Sequence, residues 1–576
     1  MLKLFRFLKP YWPSIAAILG LTFIGVMADL RLPNLMADII NNGVMSGDTA
    51  YILKIGLRMI LVTGISILSA ICSSFFSSRA SAFFGRDVRR AVFSKVESYG
   101  LREFDEFGTA TLITRSTNDV TQIQNVTVMV LRMMVHAPMM AIGAIIMALR
   151  EDRQLAIVFA VAVPVLGACI GIVASIAMPW FKRIQQKVDK LNLVLREGLI
   201  GIRVIRAFNR TRREEERFDQ ANEDITRTYV TVNRIMAFAM PLVMVIMNLT
   251  TLSILWFGVV RIDSGGMPVG SLSAFIQYAF QVLFSFMMMA MMFIMVPRAS
   301  AAAERINEVL AVEPSIADPE SPEAVDATRR GDVEFRDVSF SYHGAEQPAL
   351  RDVSFHARCG EVTAIIGSTG SGKSTLVKLI PRFYDASAGT VLVDGMDVRR
   401  MRQEDLRRRI GYVPQKAALF SGTIAENLRF GAEEADDAAL REAAEIAQAA
   451  GFIEGFEGKY EHKIAQGGSD VSGGQKQRLS IARALARKPE IYIFDDSFSA
   501  LDFKTDAKLR AALKGRLKGS TVILIAQRIG TVMDADRIIV LDEGRVVGMG
   551  KHRELLSSCP VYREIAQSQL SEEEIA

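Results

Sequence analysis

The stretch Gly367-Ser368-Thr369-Gly370-Ser371-Gly372-Lys373-Ser374-Thr375 fits G-x-x-x-x-G-K-[ST] and follows an apolar run, Val362 to Ile366, whose composition predicts a buried strand. This is the pattern of a phosphate-binding loop. Gly367, Gly370 and Gly372 let the backbone curl so that successive N–H groups face an anion, and Lys373 adds a fixed positive charge near the terminal phosphates. Ser374 is placed for Mg²⁺. The apolar-periodic segment Thr375 to Ile380 predicts the start of a helix whose N-terminal dipole also favours phosphate.

Working outward, 576 residues are too many for one compact core, so two or three domains are expected. Hydrophobic residues make up 50% of the chain, and the charged ones gather in particular loops and in the C-terminal part. The net charge of +5 has no aromatic-interleaved basic stripe to go with it, so no nucleic-acid partner is expected. Cys72, Cys169, Cys359 and Cys559 lie far apart with no C-x-x-C spacing, which indicates neither a disulfide frame nor a zinc site. The N-terminus lacks a small-residue cleavage site, so its apolar stretch reads as a retained span.

Six apolar stretches precede residue 300: about Trp12 to Met36, Ile52 to Phe76, Val126 to Leu149, Leu155 to Phe181, Ala237 to Val260 and Leu272 to Val296. A soluble fold burying that many runs would need an enormous core. Short connections follow the first, third and fifth stretches. Long, basic ones follow the second (Arg79, Arg86, Arg89, Arg90, Lys95, Arg102) and the fourth (Lys182, Arg183, Lys187, Arg203, Arg206, Arg210, Arg212, Arg213). The positive-inside rule puts these loops and both termini in the cytoplasm.

The long loops are helical by pattern, with turn-like interruptions around Phe104 to Thr111 and Arg206 to Arg213 suited to touching another domain. The last span carries Met287, Met288, Met289, Met291, Met292 and Met295 with Phe284, Phe286 and Phe293, side chains able to repack around different apolar guests. Asp29, Arg31, Arg132, His136, Asn248, Gln277 and Gln281 are polar groups within the spans, expected to face a cavity or a partner helix rather than lipid. From Arg298 to Gly331 the composition turns polar, with Pro314, Pro319 and Pro322, and reads as a linker. The expected division is a membrane domain over 1–310, a linker over 311–330 and a soluble domain over 331–576.

In the soluble domain the phosphate loop is followed by Gly411-Tyr-Val-Pro-Gln415, Val471-Ser-Gly-Gly-Gln475, the strand Ile491-Tyr-Ile-Phe-Asp495-Asp496, and Ile525-Ala-Gln527-Arg528. Their order and spacing resemble the nucleotide-binding domain of ATP-binding cassette (ABC) transporters, and six spans fused ahead of it resemble an exporter half-transporter. The resemblance covers nearly the whole chain. It implies an all-α membrane domain of six long helices followed by an α/β domain that binds ATP with Mg²⁺. It also implies roles: Tyr342 stacks on adenine; Gly367 to Thr375 cradle the phosphates; Ser374, Gln415 and Asp495 serve Mg²⁺. Ser472, Gly473, Gly474 and Gln475 form the signature that reaches a partner's ATP, and Ser499-Ala-Leu-Asp502 resembles the D-loop linking the two sites. Segments Phe104 to Asp119 and Gly201 to Phe208 match coupling segments between membrane and nucleotide domains.

Two catalytic positions depart from the family. Asp496 stands where glutamate is usual, which withdraws the carboxylate by roughly 1.5 Å, and a misplacement of about 1 Å can cost on the order of 10²-fold. Gln527 stands where the switch histidine is usual and keeps an amide but loses the imidazole. Val471 replaces the usual leucine before an otherwise intact signature, and Ala465-Gln-Gly-Gly replaces the usual Gly-Glu-Arg-Gly.

The expectation is therefore the degenerate-site subunit of a heterodimeric, multidrug-like exporter of hydrophobic or amphiphilic small molecules. It would sit in a bacterial inner or plasma membrane, in contact with lipid and paired with a second half-transporter. A homodimeric lipid or peptide exporter, and an ATP-gated channel or regulatory subunit, are the rival readings.

Overall fold

The computed structural model describes residues 3–323 and 330–570, and side chains throughout these except over 291–298. The chain divides into two compact units, Met1–Glu97 with Ala110–Val312, and Ser98–Thr109 with Glu313–Ala576.

The first unit is all helical: α1 Trp12–Asp38, α2 Thr49–Glu97, then, beyond α3 Leu101–Phe107 of the other unit, α4 Thr109–Thr114, α5 Val120–Glu151, α6 Ile157–Ile200, α7 Ile202–Ala207, α8 Thr211–Asp263 and α9 Val269–Ala311. Among the described residues, six helical stretches are long and apolar enough to cross a bilayer. The 49 residues of α2 extend about 75 Å against a hydrocarbon core of about 30 Å, so the basic loops are in large part continuations of the spans. The predicted interruptions fall at Gly108, which takes φ +72° after α3, and at Phe208 to Arg210 after α7.

Small hydroxyl residues let the helices approach closely. Ser66, Ser69, Ser73, Ser77 and Ser81 recur every three or four residues on one face of α2. Ser66 Oγ donates to Asp29 Oδ1 at 2.5 Å, Ser73 and Thr22 share a hydrogen bond at 3.2 Å, and Ser81 Oγ donates to the Gln124 carbonyl at 2.7 Å. Such bonds satisfy polar groups that lipid cannot. Tyr278, fully buried on α9, donates to the Leu30 carbonyl or Asn34 Oδ1 at 2.9 and 2.7 Å and ties α9 to α1.

The polar stretch beginning at Arg298 is not linker at its start: α9 runs on to Ala311. Charge there reflects a helix face held by ion pairs. Arg305 forks onto Asp119 through Nε at 2.8 Å and Nη2 at 2.5 Å, and Arg115 Nη1 meets Glu308 Oε2 at 2.8 Å. Met291, Met292, Phe293 and Met295 lie outside the described side chains, so the guest-lining expectation is read only at Met287, Met288 and Met289.

The second unit holds strands β1 Val333–Phe340, β2 Leu350–Ala357, β3 Val362–Gly367, β4 Ala388–Val393, β5 Met396–Asp397, β6 Ile410–Val413, β7 Gly422–Thr423, β8 Lys463–Ile464, β9 Ile491–Asp495, β10 Thr521–Ile525, β11 Arg537–Asp542 and β12 Arg545–Gly550. One sheet has the order β2-β1-β4-β5 and is antiparallel; the main sheet has the order β12-β11-β3-β10-β9-β6, parallel except at β12. Continuous apolar runs such as Ile491 to Phe494 and Val522 to Ile525 suit strands covered on both faces, and all of these residues are buried. Helix α10, Lys373–Leu379, starts two residues earlier than the apolar periodicity predicts, because the loop lysine already belongs to its first turn.

The Asp119 side chain is only 5% exposed, so removing its partner strands a desolvated carboxylate. Arg305→Gln is expected to destabilise the purified protein by about 1–2 kcal/mol, discounted for the exposure of the arginine. Thermal unfolding of Arg305→Gln, Asp119→Asn and the double variant checks this, and the double variant should lose less than the sum of the singles.

Candidate functional site

The main sheet explains why distant motifs meet. Strands β3, β10, β9 and β6 are adjacent and parallel, so their C-terminal ends open on one edge, where ligands bind in such sheets. The phosphate loop leaves β3, Gln527 follows β10, Asp495 and Asp496 end β9, and Gln415 follows β6. Four sequence segments thereby converge.

The loop has the shape its glycines require. Gly370 and Gly372 take φ +86° and +98°, and a Cβ on Gly367 would fall 2.0 Å from the Leu541 carbonyl oxygen. Lys373 folds back so that Nζ donates to the carbonyls of Gly367 at 2.8 Å and Ser368 at 2.6 Å. Burial pushes its pKa down, against the opposing charges of Asp496 and Asp495. A phosphate arriving at the loop would offer Nζ better acceptors than these carbonyls.

Ser374 Oγ donates to Asp495 Oδ1 at 2.7 Å, and Tyr412 OH donates to Asp495 Oδ2 at 3.1 Å. A hydroxyl and a carboxylate oxygen in contact are the hard donor set that Mg²⁺ takes together with phosphate oxygens and water. Asp496 is held differently. Gln415 Nε2 at 3.2 Å and Gln527 Nε2 at 3.0 Å both donate to the same oxygen, Oδ2. Its backbone sits at φ +48°, and the residue is 7% exposed. Burial raises its pKa above the usual carboxylate value and the neighbouring Asp495 adds to this, while the Gln415 bond and Lys373 oppose it.

Tyr342 lies at the rim, its hydroxyl 3.0 Å from Thr375 Oγ1. Phe340 and Tyr384 pack edge-on against its ring at centroid distances of 4.9 and 5.4 Å, and Tyr384 OH donates to Asp105 of α3 at 3.1 Å. Asp105 lies in the segment Phe104 to Asp119 expected to couple the domains, but its partner Tyr384 is not among the expected site residues. The sequence carries no local signal for a pair 279 residues apart. Tyr412, two residues into β6, could have been read from strand alternation, since β6 borders the Asp495 strand.

The signature stands apart from this cluster. Ser472 caps helix Gly473–Ala486 in a reciprocal box: Gln475 N donates to Ser472 Oγ at 3.3 Å, and Ser472 N donates to Gln475 Oε1 at 2.8 Å. Gln477 on the same helix donates to the Pro414 carbonyl at 3.3 Å, next to Gln415. Asp502 caps helix Phe503–Arg516, accepting from Thr505 N at 2.9 Å. Among the described residues, neither the segment Ser472 to Gln475 nor Asp502 hydrogen-bonds to the phosphate loop.

Comparison with known proteins agrees with this geometry. Residues 15–287 match the family model described as ABC transporter transmembrane region, and residues 350–499 match that described as ABC transporter. An uncharacterized ABC transporter ATP-binding protein of Mycobacterium tuberculosis is 44% identical over 98% of this chain and 97% of its own length. The chain belongs to the ABC transporter family. The ABC transporter ATP-binding protein YfiB of Bacillus subtilis is 40% identical over 100% of this chain and 99% of its own. An ATP-dependent lipid A-core flippase of Chromobacterium violaceum is 30% identical over 99% and 97%. In fold, the chain matches a bacterial Atm1-family ABC exporter with ATP bound, at a TM-score of 0.82 over 97% of this chain and 98% of that one, with 24% identity. It is thus a multi-pass half-transporter of exporter fold and a subunit of an ATP-hydrolysing ABC transporter, in a family that works as dimers.

Asp496 provides a pH test. Its carboxyl titrates higher folded than unfolded, so the folded state gains from the neutral form at low pH and loses this as pH rises through the raised value. Asp496→Asn is therefore expected to raise the nucleotide-free unfolding temperature at pH 7.5 by about 1–4 °C. The gap should close toward pH 4. A gap that widens on acidification would contradict the assignment.

Proposed function

We propose that this chain is the degenerate-site subunit of a heterodimeric exporter that moves hydrophobic or amphiphilic small molecules outward by alternating access. The observation that carries the reading is the pair of glutamine amides on one oxygen of Asp496. A carboxylate oxygen has two lone pairs, so Oδ2 is saturated by these donors and is a poor acceptor for a proton from water. The short side chain also holds the other oxygen back. ATP and Mg²⁺ would still bind, through Gly367 to Thr375, Tyr342, Gln415, Ser374 and Asp495.

In this reading the partner subunit brings the competent catalytic site, and Ser472 to Gln475 complete it from this side. Gly473 and Gly474 give the signature helix an N-terminus whose N–H groups can approach a γ-phosphate closely. Asp502 links the two sites. ATP draws the nucleotide domains together, and α3 and α7 carry the closure to the spans. The positive-inside pattern supports a cell membrane, with both termini cytoplasmic.

A second reading, a homodimeric lipid exporter, is favoured by the 30% identity to a lipid A-core flippase. The two are separated by restoring the usual residues. Asp496→Glu combined with Gln527→His should raise Mg-ATP turnover of the isolated chain by at least tenfold, and on the order of 10²-fold if carboxylate placement is the main defect. Unchanged turnover, from a wild type already hydrolysing briskly, would sink the degenerate-site reading and favour the homodimer.

A further inference from the structure

We propose that the open cavity lined by residues of α1, α2, α5 and α9 is a binding site for a dipolar molecule, with its anionic group on Arg132 and its ammonium group on Asp29. The cavity holds about 510 Å³, within the range of small-molecule sites, and Thr22, Asp29, Ser66, Asn125, Arg132 and His136 are among the polar groups that line it, with two further serines of α2. Asn125, Arg132 and His136 are spaced by seven and four residues on one face of α5 and spread about 16 Å along it. This length suits an extended solute.

Two opposite charges share this space without neutralising each other. No ion pair joins Asp29 to Arg132 among the described residues, and Arg132 has no hydrogen bond or ion pair there. Asp29 accepts only the Ser66 hydroxyl on its carboxylate. Arg132 is exposed and Asp29 half-buried, so neither is closed off from a solute. A pair that served only packing would close on itself, because an unneutralised charge in a membrane domain is costly. An arginine and an aspartate kept apart by the helices instead present a positive and a negative group to whatever enters. A purely anionic ligand would meet Asp29, and a purely cationic one Arg132, so the complement is a molecule carrying both. Met129, Met133 and Met288 supply the adaptable apolar wall for the rest of it.

The inference names the substrate class of the exporter proposed above and rests on that reading only for the word substrate. Binding is measured without transport, so lost transport with retained binding would indict the exporter reading alone. The full chain in maltoside micelles is titrated with dodecylphosphoethanolamine, dodecyl phosphate and dodecylamine, which share a chain and differ in charge.

The dipolar probe should bind at least tenfold tighter than either singly charged one. Arg132→Gln should weaken dodecylphosphoethanolamine and dodecyl phosphate about tenfold and spare dodecylamine; Asp29→Asn should show the opposite selectivity. ATP binding by each variant confirms folding. Arg132→Lys and Asp29→Glu, which keep the charges, should bind near normally and replace the neutral variants if those misfold, with charge selectivity of the probes as the readout. Equal affinity for all three probes, or variants that weaken all three alike, would overturn the proposal. Chain-free phosphoethanolamine separates the sources. Affinity equal to that of the dodecyl ester supports a dipolar site filled from water, and a much lower affinity supports one filled by an amphiphile of the bilayer.

Discussion

Parallel pairing of β3, β10, β9 and β6 is the constraint on which the nucleotide site depends. It places the phosphate loop, Gln527, Asp495 with Asp496, and Gln415 at neighbouring strand ends although they span 160 positions, the difference between 527 and 367. Within that edge two carboxylates have separate environments. Asp495 takes hydroxyl donors from Ser374 and Tyr412, whereas Asp496 takes two amides on one oxygen and is pushed toward its neutral form by burial. The first arrangement suits a cation. The second suits an anchor that joins the strand-end loops better than a base that accepts a proton.

The membrane unit follows a different logic, in which polar groups must be satisfied inside the bundle. The serine face of α2 bonds to Asp29, Thr22 and the Gln124 carbonyl, and Tyr278 bonds to α1, so that these polar atoms in the spans serve packing. Arg132 makes no such bond among the described residues, and the cavity it lines gives this a physical context. In the second unit, α3 reaches the nucleotide rim through Asp105, Tyr384 and the ring of Tyr342, whose hydroxyl touches Thr375. A change in how Tyr342 sits therefore has a short route to the loop that carries α3.

Much of this was legible because the signals are local. Gly367 to Thr375 encode their own loop, Ser472 and Gln475 their own cap, and six apolar runs their own spans. Helix extent was harder to read: charge from Arg298 onward looks like linker composition, yet α9 continues to Ala311 because Arg305 finds Asp119 on a distant helix. Pairings such as Asp105 with Tyr384, and the shared cavity of Asp29 and Arg132, are set by tertiary packing, and no spacing in the chain reports them. The substitutions Asp496 and Gln527 were visible in sequence as departures. Only the fold shows that Gln527 and Gln415 share one oxygen of Asp496.

The most direct test of the central claim is to measure ATP binding and Mg-ATP turnover on one sample of this chain purified alone in nanodiscs. The account predicts retained ATP binding with turnover near background, because the site built on its own phosphate loop can hold nucleotide and lacks a free base. Tight binding accompanied by sustained turnover, abolished by Asp496→Asn, would contradict it and show that Asp496 works as the base despite its two amide donors.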